Sequence, residues 1–122
     1  MNAAVELTEF DYKLQNLVMQ THHGHENALR IKDIIALFPE YGLSERAVKA
    51  SVARIHEAGN YLFGSSRYAG LFAITNEEDW KAAWLPYFRQ AETMGRIARL
   101  ARRAYYGSDA GQLPLFNDLE AA

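Results

Sequence analysis

The chain has 122 residues, 49% of them hydrophobic, and a formal net charge of −2, which is enough apolar material for one domain with a modest core. The near-neutral balance argues against a protein that coats nucleic acid indiscriminately. Cys is absent, no basic segment leads into an apolar one, and no apolar run approaches ~18 residues; a soluble, unprocessed protein without disulfides or membrane contact, most simply cytoplasmic, is expected.

Leu7 to Thr21 predicts a first helix, after which comes Thr21-His22-His23-Gly24-His25-Glu26. Three imidazoles and a carboxylate are metal-ligand chemistry, but neighbouring His residues in a Gly-containing loop lack the i, i+4 spacing that sets ligands on one helix face. His22, His23 and His25 are therefore expected in an exposed polar loop, with neither metal nor cofactor. The apolar-periodic run Ile31-Lys32-Asp33-Ile34-Ile35-Ala36-Leu37-Phe38 predicts a second helix that stops at Pro39-Glu40-Tyr41-Gly42. Ser44, a good N-cap residue, opens a third helix that runs to Ala58 and ends at Gly59. Tyr61-Leu62-Phe63 and Leu71-Phe72-Ala73-Ile74-Thr75 then flank Gly64-Ser65-Ser66-Arg67-Tyr68-Ala69-Gly70, a β-hairpin with a flexible tip.

At about 100° per residue the third helix separates into two faces. Val48, Val52 and Ile55 stack on one side, with Ser51 and Gly59 beside them, and should face the core. Arg46, Lys49, Ala50 and Ala53 fall on the opposite side, with Glu57 at the far end. Two cations near the helix start and two methyl-sized residues behind them suit a helix in the DNA major groove: Arg and Lys reach guanine or phosphate, and Ala allows close backbone approach. Arg67 at the hairpin tip is available to the neighbouring backbone or minor groove, and His56 on the helix rim to phosphate. The plainer alternatives are a solvated polar face or a module used only for protein contacts.

Leu29 to Thr75, together with the first helix, resembles the winged helix-turn-helix superfamily. The stretch Tyr61-Leu62-Phe63-Gly64-Ser65-Ser66 through Gly70-Leu71-Phe72-Ala73-Ile74-Thr75, running into a charged helix start, is similar to small helix-turn-helix proteins from the replication regions of tailed bacteriophages. The resemblance implies a mostly α fold with a small β-hairpin, in a bacterial cell or a phage-infected host.

Asn76-Glu77-Glu78-Asp79 supplies an N-cap and acids in a first turn, where the helix dipole favours them. A long helix is expected from there to Tyr105, with Pro86 kinking or dividing it. Trp80, Trp84, Tyr87, Phe88, Ala91, Met94, Ala98, Ala101 and Tyr105 recur at spacings of three and four. The start of this stripe should pack on the first helix, burying Trp80 and Trp84, while the far end should project or meet a second copy in a homodimer. Arg89, Arg96, Arg99 and Arg103 share another side with Glu92, either as a solvated face with internal pairs or as a phosphate-tracking ridge. No catalytic constellation is present, since there is no phosphate-cradling Gly loop, no Cys nucleophile and no Ser beside a His with an acid behind it.

The division expected is a winged-helix domain with its long C-terminal helix over 1–106 and a flexible tail over 107–122. The tail carries Gln112-Leu113-Pro114-Leu115-Phe116, which resembles the bacterial sliding-clamp-binding motif at Gln112, Leu113, Leu115 and Phe116; Pro114 stands where Ser or Asp is usual. That resemblance implies that the Gln hydrogen-bonds in one pocket while the Leu-Phe pair fills an apolar cleft, although the same residues also suit folding back onto the long helix. Two functions are therefore expected in competition. One is a non-enzymatic DNA-binding protein of replication that docks on the sliding clamp; the other is a dimeric winged-helix transcriptional regulator with no clamp interaction.

Overall fold

The computed structural model describes residues 5–107. In chain order these form α1 (Glu9–Thr21), α2 (Ile31–Leu37), α3 (Glu45–Glu57), β1 (Phe63–Ser66), β2 (Gly70–Ala73) and α4 (Glu77–Tyr106), with 3₁₀ turns at His25–Asn27 and Pro39–Tyr41. They fall into two units, one ending at Leu85 and the other beginning at Pro86. Among the described residues no helix is long and apolar enough to cross a membrane.

Local chemistry sets the helix starts of the first unit. The Thr8 hydroxyl accepts from the Asp11 N–H at 3.1 Å, and the Asp11 carboxylate accepts from the Thr8 N–H at 2.9 Å, a reciprocal box that opens α1. Ser44 caps α3 through Ala47 N–H, and between α2 and α3 the chain reverses at Gly42, whose φ of +56° is left-handed. The core gathers Phe10, Leu14 and Val18 of α1, Ile34 of α2, Val48, Val52 and Ile55 of α3, Phe63 and Leu71 of the hairpin, and Leu29.

Strands β1 and β2 pair antiparallel from Phe63 opposite Ala73 to Ser66 opposite Gly70. The outer edge of β2 is also engaged: Leu29 and Leu71 exchange both backbone hydrogen bonds, at 2.8 and 2.9 Å, and Ala73 bonds to His22 and Gly24. This close pairing explains Gly70, where φ is +111° and a Cβ would lie 2.5 Å from the Leu29 carbonyl oxygen. The hairpin is tighter than its composition predicts. Gly64, Ser65 and Ser66 belong to β1 rather than to a flexible tip, because the ring of Phe72 lies over Gly64 and a Cβ there would approach it to 2.8 Å.

Helix α4 differs from expectation in what it buries. Asp79 and Ala83 are its buried residues, whereas Trp80 is 38% exposed and Trp84 half-buried. The core side of α1 is already occupied by α3 and the hairpin, so Trp84 instead donates its indole N–H to the Tyr61 carbonyl at 3.1 Å. Helix α4 runs undivided through Pro86. In the second unit the apolar residues of α4 are exposed, among them Met94, Ile97, Leu100 and Tyr105.

Candidate nucleic-acid interface

Helix α3 is held by one side and open on the other. Val48, Ser51, Val52 and Ile55 are buried, and Arg46, Lys49, Ala50 and Ala53 are all exposed, the division of faces that the sequence periodicity predicts. Lys49 lies 3.2 Å from Glu45, both side chains about two-thirds exposed. Such a pair is weak in water and is readily exchanged for a phosphate. Behind Lys49 and Arg46, the two alanines leave a low surface on which a bulky polymer can approach the helix backbone.

The orientation of this helix is locked by a contact that periodicity does not reveal. Arg54 reaches the fully buried Asp11 carboxylate with two bonds, Nε at 2.7 Å and Nη2 at 2.9 Å, and the buried Ser51 hydroxyl donates to the same carboxylate. Burial raises the Asp11 pKa, but the bonds from Arg54, Ser51 and Thr8 outweigh it and hold the group below the ordinary aspartate value. Arg54 is thus a structural cation although it sits on the same helix as the candidate contacts. The signal was present as Thr8 and Asp11 at capping-box spacing; its second use, across to α3, needs the tertiary structure.

A second buried carboxylate fastens the start of α4. Asp79 accepts from the His25 N–H at 3.0 Å, from His25 Nδ1–H at 2.6 Å, and from both the N–H and the hydroxyl of Thr75 at 2.9 and 2.7 Å. Burial pushes this carboxyl up, yet those donors hold it well below the usual carboxylate range. The histidines are used separately. His22 Nδ1 lies 2.9 Å from the Asn27 carbonyl, His23 Nε2 lies 2.9 Å from that of Met19, and His25 binds Asp79. No group of three metal-ligating side chains occurs among the described residues. His25 is only partly exposed, so the expected polar loop is in part a structural staple. His56 likewise turns inward, 2.6 Å from the Phe63 carbonyl oxygen and with its ring 4.9 Å from that of Trp84.

At the hairpin tip Arg67 is exposed, and its guanidinium stands 6.0 Å from the ring centroid of Tyr68, which is 88% exposed. Within the second unit Arg89, Arg96, Arg99 and Arg103 are exposed and share one side of α4. Gln112, Leu113, Leu115 and Phe116 lie outside the described residues. Comparison with known proteins gives no match to a family model, to a curated protein or to a solved structure.

Proposed function

We propose that this chain is a non-enzymatic winged helix-turn-helix protein that grips duplex DNA through the outer face of α3 and docks on a bacterial sliding clamp through its tail. The observation that carries the DNA reading is the two-faced α3: four buried residues and the Arg54–Asp11 bond fix its orientation, and Arg46, Lys49, Ala50 and Ala53 remain exposed. The element order supports the same reading, with three helices, a short pairing at Leu29 ahead of α2, and a hairpin carrying Arg67 after α3. Arg89, Arg96, Arg99 and Arg103, exposed along one side of the second unit, are candidate phosphate contacts of their own. The clamp reading rests on Gln112, Leu113, Leu115 and Phe116 as a contiguous motif.

Fluorescence anisotropy with a labelled duplex tests the first part. Replacing Arg46 and Lys49 together by Ala should weaken binding about tenfold or more, since a good bidentate contact to a base contributes ~1–3 kcal/mol and each lost phosphate contact weakens binding further. Equal binding by the variant removes α3 as the interface. For the second part, a peptide spanning 107–122 should bind a bacterial clamp, and Leu115→Ala with Phe116→Ala should eliminate that binding. Duplex binding without clamp binding would leave an ordinary winged-helix regulator.

A further inference from the structure

The second half of α4 carries two opposed faces. Arg89, Glu92, Arg96, Arg99 and Arg103 make one side, and Tyr87, Ala91, Met94, Ala98, Ala101 and Tyr105 make the other. The apolar side is exposed throughout, with Met94 61% and Tyr105 80% accessible. We infer that this face pairs antiparallel with the same face of a second copy of the chain.

Three features select that occupant. The six residues follow one another at spacings of four, three, four, three and four, the alternation by which a seam stays turned toward a partner helix. Three of the six are Ala, which contributes little to burial in a lipid surface but allows two helix backbones to approach closely. The spacing also reads the same from either end. An antiparallel copy therefore sets Tyr87 beside Tyr105 of the second copy, Ala91 beside its Ala101, and Met94 over its Ala98, large against small, with the helix dipoles opposed. In this arrangement the like-charged arginines of both copies stay on the outer sides, away from the seam. The pairing does not depend on what α3 binds.

The full chain contains no Cys, so single cysteines report geometry cleanly. Light scattering at high micromolar concentration should give twice the 13.8 kDa chain mass. Under mild oxidation a mixture of Ala91→Cys and Ala101→Cys chains should give the mixed disulfide in preference to either symmetric one. Ala98→Glu should weaken dimerisation by at least about tenfold, a free-energy loss of ~1.4 kcal/mol, while far-UV circular dichroism stays unchanged; Arg96→Glu, on the opposite side, should leave the mass unaltered. A monomer, a dimer indifferent to Ala98→Glu, or a symmetric Ala91→Cys disulfide as the main product would each overturn the proposal. The Cys substitutions, which add one uncharged atom to each Ala, keep it falsifiable if the Glu variant loses helix.

Discussion

Up to Leu85 the chain encloses Leu14, Val18, Ile34, Ile55, Phe63 and Leu71 almost completely and adds two buried carboxylates, Asp11 and Asp79. From Pro86 onward Met94, Ile97, Leu100 and Tyr105 are more than half exposed, and five arginines stand against the single acid Glu92 as far as Gly107. The first region is specified by tertiary contacts. The second is helical mainly through the propensity of its Ala, Arg and Leu residues, and it presents most of its side chains to solvent. Substitutions should accordingly damage the fold in the first region and association in the second.

The sharpest contrast should come from Asp11→Ala. It removes the carboxylate half of the capping box of α1, two bonds to Arg54 and the acceptor of Ser51, and should cost about 2–4 kcal/mol in urea unfolding, combining half a capping box with charge-assisted hydrogen bonds. Arg96→Ala in the second region should change stability by less than about 0.5 kcal/mol. Equal losses would abolish the distinction between the regions. Next in size, Gly70→Ala should cost about 1–3 kcal/mol through backbone strain, and more than Gly42→Ala. Both glycines have positive φ, but a Cβ at Gly42 meets nothing within 4 Å, whereas one at Gly70 meets the Leu29 carbonyl.

A smaller effect concerns acid. Asp11 and Asp79 both have folded pKa values below the ordinary aspartate value, so each contributes stability that is fully present above the unfolded value, about pH 4, and lost as pH falls through the folded one. Urea midpoints should therefore decline below about pH 4, and Asp79→Asn should flatten that decline while lowering stability at neutral pH. An unchanged acid profile in the variant would contradict the role given to Asp79. Least of all should Arg46→Ala with Lys49→Ala disturb the fold, within about 0.5 kcal/mol, because both side chains are exposed; a larger loss of stability would mean that this face is packed rather than presented.

Much of this division is legible in the sequence. The period of Val48, Val52 and Ile55 separates the two sides of α3, Ser44 and Asn76 mark helix starts, and two short apolar runs on either side of residues 64–70 find the hairpin. Local patterns miss residues whose partners lie far along the chain. Asp79 reads as a helix-dipole acid, yet two of its donors come from His25, 54 positions away; Arg54 has no role in the sequence pattern, yet it binds Asp11, 43 positions away. The small residues of β1 read as loop because the reason for them, the Phe72 ring over Gly64, stands on the opposite strand. Trp80 and Trp84 fail for a related reason: large apolar residues are assigned to a core by type, but the core side of α1 is already covered from elsewhere.

The salt dependence of duplex binding is the most direct test of the DNA reading. Log K against log salt should be linear and negative for the full chain, and the Arg46→Ala, Lys49→Ala variant should show a slope shallower by roughly 0.9 for each phosphate contact those side chains make. A chain that does not bind duplex, or a variant with the parent's affinity and slope, would contradict the assignment of α3 as the DNA-gripping helix.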